Sequence, residues 1–267
     1  MNTATISLTL SIEELLFLLR LMRAETLPGL PEKPFEDMTP EQTAASLVAA
    51  ERGLQARGLV HIDEAEHRVE IDVVCMALLG VCMIPRFSIL VTFQSAGDPP
   101  RARYYHAGSD LVVEHTSLKP GLHTFVGAAR IEDFVAPLVE LLALPQRSSR
   151  KDMAAQIRQD SLAQAREQAR SGDSDAVIGH LEAGGLAQRV AASMAATLQQ
   201  PTLSISLTRL ERSSHNRSAV DGFALLEGAN VLWALSPESS DPQGLRIEAI
   251  STDEAAKRIE EIMRSSH

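Results

Sequence analysis

The sequence has few cysteines, which would mark a domain stabilised by disulfides, and no long apolar run, which would mark a membrane anchor. Only two of its 267 residues are cysteines, and both, Cys75 and Cys82, lie in one apolar run. If that run is a helix, the two Cα atoms are about 10 Å apart, too far for a disulfide, so we expect two buried thiols. The run, residues 73–85, is also shorter than the roughly 20 apolar residues that a helix needs to cross a bilayer.

Basic charge is scarce as well. The 25 lysines and arginines are outnumbered by 35 acidic residues, which gives a formal net charge of −10. An acidic body repels phosphate groups and anionic lipid, so we expect neither nucleic acid nor a membrane as a partner. The first residues carry no basic region, and Glu13 and Glu14 interrupt what would be the apolar core of a signal peptide. These features predict a cytoplasmic protein.

The common signatures of catalysis are missing too. The chain has no G-x-S-x-G, H-E-x-x-H, Walker A or G-x-G-x-x-G sequence. Residues 148–151 match S-x-x-K, but they lie in a serine-rich joint without the companion motifs. Asp173 and Asp175 stand where a helix begins, which is a position that carboxylates favour as caps. We therefore expect no catalytic residue, no cofactor and no enzyme activity.

Three histidines deserve a separate test as metal ligands. His106, His115 and His123 fall on successive predicted strands, so the fold could bring them together. A zinc site needs ligands that converge on one face at about 2 Å from the metal. Because the histidines are not closely spaced and no cysteine lies among them, we expect no metal site.

Periodicity and turn residues divide the chain into helices and strands. Helices are predicted at residues 12–22, 40–57, 131–144, 151–170, 173–182, 186–200 and 253–263. Strands are predicted at residues 5–10, 59–62, 68–72, 86–94, 101–107, 111–115, 122–128, 203–210, 220–226, 231–235 and 245–250. Hairpin-length connections between the strands favour an antiparallel sheet.

The second half of the chain repeats the first. Pro85 and Pro201 are 116 positions apart, and each opens four strands followed by a helix. Aligned in this way, the apolar and polar alternation of residues 86–94 matches that of residues 203–210, as a duplication requires. We predict an α+β fold, with an antiparallel sheet built from two pseudo-twofold-related βα halves and flanking helices. The halves, residues 1–146 and 147–267, are expected to form one compact duplicated domain.

The polar side of the two aligned strands is the candidate partner-binding surface. Its side chains are small, so another protein can approach closely. The loop between the first two strands of the second half adds donors for carboxylates or for the carbonyls at a helix C-terminus. The candidate residues are Ser88, Thr92, Ser204, Ser206, Thr208, Arg212, His215, Asn216 and Arg217. Oligomeric state is not predictable from the sequence.

Three segments of the first half resemble the EspG-type secretion-associated proteins, which are cytosolic chaperones of type VII secretion. These segments are the strand and amphipathic helix of residues 6–22 with the following L-P-G-L at 27–30, the helix ending in L-Q-A-R-G-L at 54–59, and G-L-H-T-F-V at 121–126. The resemblance implies two quasi-twofold halves, a central antiparallel sheet and a helical bundle in the C-terminal half. It also implies that the protein binds helical secretion substrates.

Two other functions stay open at this point. Residues 39–72 read as a helix followed by a hairpin, like the end of a winged helix, which would suit a regulator. The acidic hairpin turn would repel DNA phosphates, so packing or protein contact fits that element better. The other alternative is an enzyme whose site assembles from scattered residues. The leading hypothesis is a non-enzymatic, chaperone-like module that binds a protein.

Overall fold

A computed structural model describes residues 5–24, 26–31, 33–63, 65–66, 68–212, 217–228, 230–238 and 240–264, without the side chains of 118, 212 and 217–220. The helices are α1 (Ile12–Leu21), α2 (Pro40–Ala56), α3 (Val73–Met83), α4 (Glu132–Leu142), α5 (Gln159–Ala169), α6 (Ser174–Ala183), α7 (Gln188–Gln199) and α8 (Thr252–Arg264). The strands are β1 (Ile6–Ser11), β2 (Val60–Asp63), β3 (Arg68–Ile71), β4 (Phe87–Ser95), β5 (Arg101–Ala107), β6 (Val112–Lys119), β7 (Leu122–Ala128), β8 (Arg150–Arg158), β9 (Leu203–Arg212), β10 (Arg217–Gly228), β11 (Val231–Glu238) and β12 (Asp241–Ala249). The α+β class and the large antiparallel sheet are confirmed.

Local sequence signals explain where the first helices begin. The Ser11 hydroxyl accepts from the Glu14 N–H, and the Glu14 carboxylate accepts from the Ser11 N–H, which together form a capping box. Thr39 and Gln42 form the same arrangement at the start of α2, with Pro40 in the first helical position. Each box satisfies backbone N–H groups that a helix end otherwise leaves without partners, so these boundaries follow directly from the sequence.

One predicted helix is wrong over its first half. Residues 151–158 belong to strand β8, and the helix begins only at Gln159. Met153 and Ile157 are buried and Ala155 is half-buried, which is the two-residue period of a strand. The many alanine and glutamine residues favour a helix locally, but pairing with β12 outweighs that preference.

The chain divides into two compact units. Unit 1 comprises Met1–Ile89, Ala102–Phe134 and Glu211–Ser218, and unit 2 comprises Leu90–Arg101, Val135–Leu210 and Ala219–His267. In unit 1 the strands follow the order β1-β7-β6-β5, with the start of β4 next to β5. Its core joins side chains of α1, α2 and α3 to one face of these strands, including Leu8, Val113 and Phe125.

Unit 2 has its own strands and its own core. Its strands follow the order β4-β9-β10-β11-β12-β8, with the later part of β4 at one end. Side chains of α5, α6 and α7 pack with Trp233, Ile247 and Met153 from the sheet. Trp233 is fully buried and its indole N–H donates to the Thr197 hydroxyl at 3.2 Å.

The two halves of the sequence have the same order of elements. In the first half, β1 precedes α1–α3, the strands β4–β7 and then α4; in the second half, β8 precedes α5–α7, the strands β9–β12 and then α8. The opening strand also pairs in the same way, β1 with β7 and β8 with β12, which are the last strands of their meanders. Among the residues that the structure describes, the hairpin β2–β3 has no counterpart in the second half. A pseudo-twofold axis and a boundary at 146/147 remain predictions.

Burial of the apolar strand face agrees with the predicted register. Ile89, Val91, Ile205 and Leu207 are 0–1% exposed, as expected for the inward side of β4 and β9. Phe87, an apolar residue of the same alternation, is only half-buried and lies at the first position of β4.

Candidate functional site

Four of the predicted partner-binding residues lie together in unit 2. Thr92 on β4 and Ser204, Ser206 and Thr208 on β9 are all half-buried, whereas Ile205 and Leu207 between them are buried. The strand alternation therefore presents the three β9 hydroxyl side chains on one side of that strand. Because these side chains are only half-buried, a partner can reach their hydroxyl groups.

Ser88 does not belong to that surface. It is 2% exposed, and its hydroxyl lies 2.9 Å from Nδ1 of the buried His106. The prediction that Ser88 forms part of the partner-binding surface is wrong, because its side chain is buried beside His106 in unit 1. A serine fits there because its hydroxyl can donate to, or accept from, an imidazole nitrogen.

The loop candidates are only partly described. Arg212 ends β9 and Arg217 begins β10, so the structure places their backbones but not their side chains. His215 and Asn216 lie outside the described residues. The role of these four residues stays a prediction.

A groove adjoins Ser204 at the start of β9. It has a volume of about 420 Å³ and is lined by Gln94, Ser95, Ala96, Gly97, Gln199, Gln200, Pro201, Thr202 and Ser204. The Ala96 N–H donates to the Thr202 carbonyl at 2.9 Å, which fixes the two strand ends together. None of the lining residues is charged, so the groove suits an uncharged polar or mildly apolar segment of a partner.

The three histidines that we considered as metal ligands do converge, in unit 1. His106, His115 and His123 expose 0%, 1% and 3% of their surface. The His115 Nε2 and His123 Nδ1 atoms are 3.0 Å apart, and the His106 and His115 ring centroids are 6.4 Å apart. Two aromatic rings stack against His115: the ring centroid of Tyr104 lies 5.7 Å from that of His115, and the ring centroid of Phe125 lies 4.5 Å from it. We call these five residues the histidine cluster.

Burial disfavours the charged forms of His115 and His123. Burial is the main cause that lowers the pKa of His115 to about 3, and the neighbouring His123 and His106 lower it further. Burial also lowers the pKa of His123. A hydrogen bond between two imidazoles needs one N–H donor and one nitrogen lone pair, so it forms only when at least one ring is neutral.

A glycine turn covers the cluster. Gly29 has a φ of +91°, and a Cβ there would lie 2.7 Å from Tyr104 Cε2 and 3.1 Å from His115 Cε1. Only glycine combines that backbone angle with so close an approach. The glycine of the L-P-G-L sequence at residues 27–30 is therefore required by its close approach to Tyr104 and His115.

Sequence reasoning missed a buried ion pair in unit 2. Glu227 is 4% exposed and accepts from Arg147, whose Nε lies 3.1 Å from the carboxylate and whose Nη2 makes a second, shorter contact. Arg147 also exchanges hydrogen bonds with Thr252 at the start of α8. Residues 147 and 227 are far apart in the sequence, so no local pattern pairs them. The pair anchors the segment before β8.

Neither a metal site nor a membrane span emerges from the described residues. Within the ranges given above, no group of three or more His, Cys, Asp or Glu side chains is placed to hold a metal ion. Among the helices described here, none is long and apolar enough to cross a membrane.

Comparison with known proteins identifies the fold. No protein-family model matches the chain, and a search of curated proteins gives no significant match. Among solved structures, the chain is similar to the Mycobacterium tuberculosis type VII secretion system chaperone EspG5, solved in complex with the PE25-PPE41 dimer. The similarity covers 97% of this chain and 96% of that one, with a TM-score of 0.68 and 11% sequence identity. The chain therefore has the fold of EspG5, as the resemblance in its sequence implied.

Proposed function

We propose that this protein is a non-enzymatic, chaperone-like module that binds another protein. The observation that carries the proposal is the near-complete structural match to EspG5, a secretion chaperone that was solved bound to a protein dimer. A shared fold does not by itself fix a function, so the proposal also needs a surface that can bind.

The surface that we assign to the partner is the polar side of β9 with Thr92 of β4. Short hydroxyl side chains let a partner backbone approach closely, and each hydroxyl can donate or accept a hydrogen bond. The uncharged groove beside Ser204 extends this surface by about 420 Å³. In unit 1, Arg212 at the last position of β9 and Arg217 at the first position of β10 are cations that we expect to meet carboxylates or the C-terminal carbonyls of a helix. The partner that suits these donors presents a helix end.

The test is capture from the native host followed by reconstitution. Tagged wild-type protein is used as bait, the captured protein is identified by mass spectrometry, and the pair is then mixed in purified form. The Ser206→Arg variant adds length and charge to the assigned surface, while Ser240→Arg makes the same change at an exposed turn between β11 and β12. We expect Ser206→Arg to lose binding and Ser240→Arg to keep it, with both variants folded by circular dichroism.

Two results would contradict the proposal. If no purified partner rebinds the wild type, the protein is not a binding module of this kind. If Ser206→Arg binds as tightly as Ser240→Arg, the partner sits elsewhere and the assigned surface is wrong. Turnover in a broad hydrolase screen that disappears on mutation of clustered histidines or carboxylates would instead establish an enzyme.

A further inference from the structure

Residues 27–30 form a tight turn over the histidine cluster. The Leu30 N–H donates to the Leu27 carbonyl at 3.1 Å, with Pro28 and Gly29 between them. Proline at the second position and a glycine with positive φ at the third are typical of a type II turn. Leu27 is buried in the core of unit 1, whereas Gly29 is exposed. Because Gly29 lies against the rings of the cluster, we call residues 27–30 the cover turn.

The cover turn is attached to the cluster by few bonds. The backbone hydrogen bond described for it, from Leu30 to Leu27, is internal to the turn. Residues 27–30 belong to none of the strands that form the sheet. The buried side chain of Leu27 and the packing of Gly29 therefore hold most of this segment in place. A segment of this kind opens at a lower free energy than paired strands do.

The His115–His123 pair can hold one added proton but not two. The His115 Nε2 and His123 Nδ1 atoms are 3.0 Å apart, so one of them carries the N–H and the other the lone pair. One added proton can bind to the far nitrogen of the donating ring, and the hydrogen bond survives. If both rings are charged, two N–H groups face each other and the bond is lost. Two positive charges then repel across ring centroids only 5.2 Å apart.

The neighbours of His115 on the strands do not offset that repulsion. Besides His123 of β7, the titratable groups that face His115 are Tyr104 and His106 of β5. His123 and His106 both disfavour a charge on His115. Glu114 is adjacent in sequence, but strand alternation puts it on the other side of β6, where it pairs with Arg103.

The segments that pack over the strands bring no carboxylate to the pair either. The cover turn has the sequence L-P-G-L, and α3 has no charged residue, only the thiols of Cys75 and Cys82. In α1, Glu14 accepts from Arg57, and neither Glu13 nor Glu14 acts on His115. Two charged rings can therefore be stabilised only by water, which is the usual requirement for charges without partners.

We propose that the histidine cluster and the cover turn form an acid switch in unit 1. The turn stays closed while the His115–His123 pair holds at most one added proton, and it opens when both rings are charged. Opening admits water to the two rings and moves Leu27 out of the core. The switch involves residues of unit 1 alone and does not rest on the proposed function.

The direction of the switch follows from proton linkage. Burial lowers the pKa of both His115 and His123 in the closed protein. When the turn is open, the rings are in water and have the ordinary histidine pKa of about 6.5. The open form therefore binds more protons than the closed form below that pH. Opening becomes more favourable as the pH falls and is reversed as the pH rises again.

NMR of the whole chain labelled at histidine and leucine, titrated from pH 7 to about pH 3, tests the switch. The ring signals of His115 and His123 report their charge, and the methyl signals of Leu27 report the turn. We expect the first proton to leave the Leu27 signals unchanged and the second to shift them. The methyl signals of Leu8 in β1 and of Leu181 in the core of unit 2 should stay in place when Leu27 shifts.

The variant His123→Asn removes the second charge. An asparagine amide can still form a hydrogen bond with His115, but it does not take up a proton. We expect opening of the turn to need about ten times more protons, which is a shift of about one pH unit downward. His61→Asn is the matched control, because His61 is exposed on β2 in the same unit, and it should open at the wild-type pH.

Three results would overturn the proposal. One is a wild type in which both rings become charged while the Leu27 signals stay unchanged. Another is a loss of the Leu8 and Leu27 signals at the same pH, since unit 1 would then unfold as a whole instead of opening at the turn. The third is a His123→Asn variant that opens at the wild-type pH. The first two use the wild type alone, so they decide the matter even if the variant does not fold.

Discussion

Lowering the pH from 7 to 5 should destabilise the histidine cluster of unit 1. His115 has its pKa lowered to about 3 in the folded protein, against 6.5 for an unperturbed histidine. Between these two values the unfolded chain binds a proton at His115 that the folded chain does not. Stability therefore rises with pH across this window and falls as the solution is acidified.

The size of the effect follows from the two pKa values. Each unit of pH inside the window costs about 1.4 kcal/mol. Going from pH 7 to pH 5 should therefore remove about 2 kcal/mol, and going on to pH 3 about 4 kcal/mol in total. The titratable groups that face His115 are His106, His123 and Tyr104, and the two other histidines oppose its protonation by repulsion, whereas a hydrogen bond to the Pro28 backbone favours it. His123 adds a loss in the same direction, since burial lowers its pKa too.

The variant His115→Phe isolates this contribution. A phenylalanine keeps the stack on Phe125 but carries no titratable group. It also removes the hydrogen bond to His123, so the variant starts from a lower stability at pH 7, and the quantity to compare is the slope with pH. Hydrogen exchange read by mass spectrometry on peptides from β5, β6 and β7 gives the local free energy of opening.

We expect the wild type to lose about 2 kcal/mol more than His115→Phe between pH 7 and pH 5. Peptides from β11 and β12, which lie in the core of unit 2, serve as the internal reference. Equal slopes for the wild type and the variant would refute the reasoning, because His115 would then take up its proton without cost in the folded state.

Four substitutions test the packing, each measured by denaturant unfolding. Ile205→Ala should cost about 2–5 kcal/mol because this side chain is fully buried; a loss below about 0.5 kcal/mol would mean that the register of β9 is misread. Gly80→Ala should stabilise the chain by about 0.5–1 kcal/mol, since its Cβ enters open space on a helix. Gly222→Ala should destabilise it by more than about 1 kcal/mol, because the Cβ would lie 2.7 Å from the Leu207 carbonyl oxygen, and equal effects at the two glycines would contradict that contact. Ser11→Ala should cost about 1 kcal/mol through the lost cap of α1, and an unchanged stability would show that the capping box adds nothing.

Much of the local structure was predictable because its causes are local. Capping pairs such as Ser11 with Glu14 act over three residues, and turn residues such as Gly58, with a φ of +70°, act at one position. The strands β5 and β7 lie at their predicted residues. The repeated order of elements was visible for the same reason, since a two-residue period can be read without knowing what covers each face.

The wrong predictions concern residues whose secondary structure or burial depends on contacts with residues distant in the sequence. Residues 151–158 have helical composition, yet they form β8 because β12 offers a free edge with which they pair. Ser88 continues the polar side of β4, yet it is buried because His106 lies beside it in unit 1. A strand pattern gives the side to which a residue points, but not what covers that side.

By itself the sequence determined where most helices and strands begin, which residues of β4 and β9 are apolar, and that the two halves follow one order, because each of these depends on neighbours a few positions away. Only the tertiary structure decided that His106, His115 and His123 share one buried cluster, that Glu227 pairs with Arg147, and that Val73 and Met76 of α3 are exposed while Leu78 and Leu79 of the same helix are buried. These outcomes depend on contacts between residues far apart in the chain, and the local pattern of side chains does not predict such contacts.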